Sequence, residues 1–178
     1  MKATGIVRRI DDLGRIVIPK EIRKTMRLRE GDPLEIFTNR DGEVIFKKYS
    51  PVGELSQVAA GLCESVSKAT GYTVAVTDRD AVIACAGNGK KELMDKKVGG
   101  ELEALIEARQ CYFDRTRESS LYLNDSLEGR RILAAVPVIV LGDITGAVLI
   151  MGQQDEICTD TEEKLCRSVA GFLGKQIE

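Results

Sequence analysis

The chain has 178 residues and a mass of 19.5 kDa, room for one ordinary domain or two small ones, and its 43% hydrophobic and 30% charged residues mark it as globular rather than disordered. It lacks histidine, and its five cysteines (Cys63, Cys85, Cys111, Cys158, Cys166) are odd in number and form no Cys-x-x-Cys, which removes His-based catalysis and argues against a disulfide framework or a tetrahedral zinc site. The net charge of −2 hides a split: residues 1–50 carry 12 Lys/Arg against 8 Asp/Glu, residues 51–178 carry 14 against 20, and within 1–29 the count is 9 against 3. A basic head on an acidic body is the pattern of a polyanion-binding module joined to something else.

The head reads as short strands with one short helix. Ala3 to Ile10 is extended and β-branched-rich, Asp11 to Gly14 is a turn, and Arg15 to Ile18 is a second strand. Pro19 suits a helix start, so a helix is predicted over Lys20 to Leu28, ended by Arg29-Glu30-Gly31-Asp32-Pro33. A hairpin follows, Leu34 to Thr38 and Glu43 to Lys48, turning at Asn39-Arg40-Asp41-Gly42. Residues 51–54 read as a linker.

The body begins with an amphipathic helix over Glu54 to Thr70, ended by Gly71. Strands are predicted over Tyr72 to Thr77 and Ala81 to Ala86, a loop over Gly87 to Lys91, a helix over Glu101 to Arg109, and irregular chain over Tyr112 to Glu118. A short strand fits Leu121 to Leu123. Arg131 to Val140 and Ile144 to Met151 form a hairpin, apolar on both faces and hence central. Its longest apolar stretch, Leu133 to Leu141, falls well short of the roughly 18–20 residues of a membrane span, so no membrane partner and a cytoplasmic location are expected. Thr159 and Glu162 fit a capping box for a last helix, Thr161 to Ile177, with a broad apolar arc that covers a sheet and meets a partner. The order of elements indicates an α+β sandwich of about 120 residues.

About 50 residues is small for a self-sufficient core, since chains of roughly 60 residues bury only ~60% of their surface. Two heads intertwined in a dimer would share one. At 100° per residue the predicted helix turns Ile22 and Met26 inward and sets Lys20, Arg23, Lys24 and Arg27 in an adjacent arc about 100° wide. Arg8, Arg9 and Arg15 can extend that surface, and the prevalence of arginine suits forked contacts to phosphate or guanine. The plainer reading is a solubilising basic face.

The segment Thr4-Gly5-Ile6-Val7-Arg8-Arg9-Ile10-Asp11-Asp12-Leu13-Gly14-Arg15-Ile16-Val17-Ile18-Pro19-Lys20-Glu21-Ile22-Arg23-Lys24 resembles the signature of AbrB-type transition-state regulators, with the match continuing through Lys47-Lys48-Tyr49. The Tyr49-Ser50-Pro51 junction and the ending Ala170-Gly171-Phe172-Leu173 are similar to the sporulation regulators of that family. The resemblance implies an N-terminal swapped-hairpin β-barrel formed by two chains over 1–50, a linker at 51–54, and a GAF-like α/β sandwich over 55–178. It implies a sequence-selective activator or repressor of transcription, binding double-stranded DNA through Arg8, Arg9, Arg15, Arg23 and Lys24. It further implies a homo-oligomer, dimeric through the heads and tetrameric through the tail helices, with the tail open to an unidentified small-molecule effector. No cofactor is expected, since no spacing fits a haem, bilin or iron–sulfur site. Lys24 stands where close relatives have arginine.

Three other readings stay open. Antitoxins carry the same head but follow it with a disordered, toxin-wrapping tail. Some GAF-fold proteins are cysteine-dependent reductases, for which Cys85 and Cys111 are the only plausible pair, although Cys85 suits a core position and Cys111 an ordinary structural one. A two-domain scaffold must treat the basic arc as accident.

Overall fold

In the computed structural model, which describes residues 5–118, 120–124 and 130–177, the chain falls into two units, Met1–Tyr49 and Ser50–Glu178. In the first unit the helix α1 covers Lys20–Thr25, and the strands β1 (Leu34–Thr38) and β2 (Val44–Lys48) pair antiparallel with Ile36 opposite Phe46. Gly42 supplies the positive φ of the hairpin turn, at 79°. Asn39 Oδ1 accepts the backbone N–H groups of Asp41 and Glu43 and so closes the same turn.

The head differs from expectation in two places. The extended segments expected at 3–10 and 15–18 form no strands over residues 5–10 and 15–18, and Ala3 and Thr4 lie outside the described residues. A strand needs continuous pairing with a neighbouring backbone, and among the described residues the two limbs are joined only at the 11–15 turn, where Asp11 N–H donates to Arg15 O, with no ladder beyond it. The helix is also shorter than expected. It stops at Thr25, and Met26, expected to point inward, is exposed. Arg27 takes a left-handed φ of 52°, with Arg27 N–H bonded to Lys24 O at 3.2 Å and Leu28 N–H to Arg23 O at 2.8 Å, a Schellman ending built on arginine instead of glycine.

The second unit opens with α2 (Pro51–Glu54), where a linker was expected. Ser50 Oγ accepts the Gly53 N–H at 3.2 Å, proline occupies the first turn, and Val52 is fully buried. Then come α3 (Ser56–Thr70), β3 (Thr73–Asp78), β4 (Val82–Ala86), α4 (Lys90–Leu93), α5 (Gly100–Glu107), β5 (Tyr112–Phe113), β6 (Arg131–Val140), β7 (Asp143–Gly152) and α6 (Asp160–Ile177). The five strands make one antiparallel sheet in the order β4-β3-β7-β6-β5. The β6–β7 hairpin is therefore central, which explains why both faces of both strands are apolar. Leu121–Leu123 contributes only an isolated bridge from Tyr122 to Arg131.

Each sheet face carries its own apolar cluster. On one, Cys63 and Val66 of α3 and Cys166, Val169 and Leu173 of α6 pack on Val74, Val148 and Ile150. On the other, Leu93, Leu102, Ile106 and Leu123 pack on Ala75, Leu149 and Met151. The helix ends are built as the sequence indicates. Gly71 is left-handed at the end of α3, and Glu162 Oε2 accepts Thr159 N–H at 2.8 Å before α6. A Cβ at Gly174 would lie 2.9 Å from Ile139 O, so glycine there lets α6 approach β6 closely. Arg131 and Asp114, both buried, form an ion pair, and Arg131 Nη1 also donates to Gln154 O at 2.6 Å. This clasp holds the 114 turn and the 153–156 turn to the start of β6.

Candidate nucleic-acid interface

The cations of the head stand on two local supports. The first is the turn at 11–15. Asp11 N–H donates to Arg15 O and Gly14 N–H to Asp11 O, both at 3.0 Å. Asp11 Oδ1 accepts the N–H groups of Leu13 (3.0 Å) and Arg15 (2.7 Å), while Oδ2 accepts Arg15 Nε at 2.8 Å. One carboxylate thus fixes both the loop and the root of the Arg15 guanidinium, through Nε rather than the two terminal nitrogens. The hydrogen bonds from Arg15, backbone first and then side chain, hold the Asp11 carboxyl below its ordinary value. Nothing in the sequence singled Asp11 out beyond its place in a turn.

The second support is α1. Pro19, buried, starts it, and Arg23 N–H returns to Pro19 O at 2.9 Å. Arg23 and Lys24 sit on the exposed surface of its single full turn. Arg27, placed on the same arc by helical geometry, belongs instead to the left-handed ending, where Lys48 Nζ donates to its carbonyl at 3.1 Å and pairs with Asp32 at 3.3 Å. Arg8 and Arg9 lie on the limb before the 11–15 turn. All five expected contact residues are exposed. Among the described residues, Arg8, Arg9, Arg23 and Lys24 make no ion pair, so their charge faces solvent uncompensated; Arg15 has only the pair with Asp11.

The apolar side chains between these cations are bare as well. Val7, Leu13 and Val17 are 86%, 69% and 73% exposed, and Ile6, Ile10 and Ile16 are also uncovered. Contiguous exposed apolar chain of this kind marks an interaction surface.

The cysteine pair weighed for reductase chemistry is not brought together. Cys85 is buried on β4 at one edge of the sheet, and Cys111 is exposed just before β5 at the other. Four strand spacings of about 4.8 Å separate those edges, far beyond the ~7 Å Cα limit for a disulfide. Burial pushes the Cys85 thiol up to about 11.

The sequence and fold have clear relatives. The family described as "Stage V sporulation protein T C-terminal, transcription factor" matches residues 54–178, and that described as "Antidote-toxin recognition MazE, bacterial antitoxin" matches residues 7–54. Stage V sporulation protein T of Bacillus subtilis (strain 168) is 45% identical over 178 residues, all of this chain and 99% of that protein. Transition state regulatory protein AbrB of the same organism is 55% identical over 51 residues, 29% of this chain and 52% of that protein. The GAF domain of an Acinetobacter phosphoenolpyruvate-protein phosphotransferase superposes with a TM-score of 0.54 at 13% identity, covering 71% of this chain and 87% of that one. An AbrB-like head followed by a GAF-like α+β domain is the class of protein these features define. The chain belongs to the stage V sporulation protein T family of transcription factors. Among the described residues no helix is long and apolar enough to cross a membrane.

Proposed function

We propose that the chain is a cytoplasmic, DNA-binding regulator of transcription. Its N-terminal region, 1–50, completes its fold only as a swapped-hairpin barrel shared by two chains, and 55–178 is the regulatory and oligomerising domain beyond the short 51–54 junction. The observation that carries this reading is the coincidence, over residues 6–24, of bare apolar side chains with uncompensated cations. Covering Ile6, Val7, Ile10, Leu13, Ile16 and Val17 is worth on the order of 10 kcal/mol per chain before costs. Two chains double that, against an association cost of about 4–15 kcal/mol, so a shared core is favourable. Dimerisation also duplicates Arg8, Arg9, Arg15, Arg23 and Lys24 about a two-fold axis. A helix of six residues offers few side chains to base edges, so phosphate contact and duplex shape dominate recognition. Lys24 serves as a phosphate contact, having no fork.

Pairing of such dimers into a tetramer uses the tail helices, whose outer faces expose Val58 on α3 and Phe172 on α6. The antitoxin reading is less favoured, because the tail carries two packed clusters where that reading requires a disordered segment. The test is a fluorescence-anisotropy titration of duplex DNA across salt. Neutralising about eight phosphates per dimer gives a slope of log K on log salt near −7. A slope near zero, or no binding in dilute buffer, refutes the proposal.

A further inference from the structure

The sheet face under α4 and α5 is filled: Leu93, Leu102 and Leu123 close on Leu149 and Met151, all essentially inaccessible. Space opens instead at one end of the sheet, where β3 begins and β7 ends. A cavity of about 590 Å³ there lies within the roughly 300–1,000 Å³ of small-molecule sites. Tyr72, Thr73, Asn88, Arg130 and the 152–156 turn line it.

The lining is divided by charge. Arg130 is held on the β3–β4 side, where Nη1 donates to Asn88 O and, at 3.4 Å, to Thr73 Oγ1, while Nη2 lies 3.7 Å from Glu92 Oε2. Thr73 Oγ1 donates to the same Asn88 carbonyl at 3.0 Å, and a Cβ at Gly89 would collide with the guanidinium. Glu92 is a loose partner with a largely exposed side chain, so the guanidinium keeps donor capacity for a ligand. The β7 side carries Asp155 and Glu156. Glu156 Oε2 is pinned by the Gln153 N–H at 2.6 Å. Tyr72 also lines the cavity, and its phenol is pushed above its ordinary value by burial and then by the carboxylates of Glu156 and Glu162.

We propose that this cavity is a receptor site for a small zwitterion of the α-amino acid class, its carboxylate taken by Arg130 and its ammonium by Glu156 and Asp155. A purely anionic ligand would meet the two carboxylates, and a purely cationic one would meet the guanidinium. Only a ligand carrying both charges satisfies both ends. The walls are also helix ends: Gly71 to Thr73 directly follow α3, and the 153–156 turn leads through Cys158 into α6. Occupancy therefore acts on the two helices assigned to tetramer contact. That coupling rests on the proposed assembly; the binding site itself does not.

The experiment is calorimetric titration of the full-length protein with each L-amino acid singly, and with the matching amines and N-acetyl amino acids. At least one amino acid binds at millimolar concentration or below, and its amine and N-acetyl forms bind about tenfold or more weakly, as loss of one charge-assisted contact requires. Arg130→Gln and Glu156→Gln each lose about tenfold or more, Arg130→Lys and Glu156→Asp lose less, and all four melt as the wild type does when unliganded. The inference is overturned if no amino acid binds, if a singly charged form binds as well as its parent, or if the neutral variants bind like wild type. Should a variant fail to fold, the comparison of ligand forms on wild type decides alone. Duplex binding measured on the same samples separates this result from the regulator reading: protein that binds DNA but no amino acid refutes the receptor site only.

Discussion

The two units solve the same physical problem to different degrees. In residues 50–177 the described chain closes two apolar clusters on either side of a five-stranded sheet, and even its one buried ion pair is matched internally. In residues 5–49 Pro19 is the sole buried residue, although the segment is rich in β-branched side chains. Both regions are patterned as folding sequences, but among the described residues one covers its apolar side chains and the other leaves many of them exposed. Apolar periodicity thus specifies what a segment must bury, and says nothing of whose chain supplies the cover.

The comparison breaks first, and most visibly, on the closed side. Asp114→Ala strands Arg131 in a site where both groups are buried, which costs about 3–5 kcal/mol. Urea denaturation followed by circular dichroism should show that loss as an earlier transition, and an unchanged midpoint would mean the clasp contributes nothing. The open side is attacked by Val17→Asp. In the proposed dimer, losing the cover of Val17 in both copies, about 2–3 kcal/mol each, weakens dimerisation by about a thousandfold or more. Sedimentation equilibrium reads that shift, and wild-type association by the variant would show that residues 15–18 are not covered by a second chain.

Charge sharpens the contrast next. On the proposed reading Arg15→Ala and Arg23→Ala would each remove one phosphate contact per copy, lowering the salt slope by about 2 per dimer while sedimentation stays that of wild type. Asp11→Asn weakens duplex binding less than Arg15→Ala, because it releases the guanidinium without deleting it. The Asp11 contact also titrates with a definite sign. Its folded carboxyl lies below the ordinary 3.8, so the stabilisation is full above that value and is lost as pH falls through the lower folded one. Arg15 Nε NMR signals followed into acid should report the release, and a signal indifferent to pH would contradict the contact.

The smallest effect concerns the thiols. Burial pushes Cys85 and Cys158 up to about 11 and Cys63 up to about 12, and Cys166 is also raised, while Cys111 is exposed beside Arg167 Nη1 at 3.6 Å. Mild alkylation of native protein near neutral pH should add one group per chain, at Cys111. Several rapid additions would show that the tail opens far more readily than its packing indicates.

What the sequence made legible follows from the range of the forces involved. The β6–β7 hairpin, the ends of α3 and α6, and the β1–β2 turn were readable because continuous apolar runs, Gly71, the Thr159–Glu162 pair and Gly42 act within a few residues. The helical turn at 51–54 was hidden because Ser-Pro serves a linker and a helix start equally well, and only the burial of Val52 decides between them. β5 is two residues long, too short for any period to show. The Asp114–Arg131 clasp and the Arg130 cavity join residues far apart in sequence, beyond the reach of local patterning. In the head, the cations were legible as types and spacings, and Arg8, Arg9, Arg15, Arg23 and Lys24 are all exposed. The role of Asp11 in orienting Arg15 was not, since an aspartate in a turn has an adequate local explanation already.

The central claim, that two N-terminal segments complete one another, is tested most directly by mixed-isotope NMR on the full-length protein. Half the chains carry labelled Ile, Leu and Val methyls and half are unlabelled, and filtered spectra select contacts between them. The account predicts strong intermolecular contacts from the methyls of Val7, Leu13 and Val17. A head whose methyl contacts all arise within one chain would contradict it.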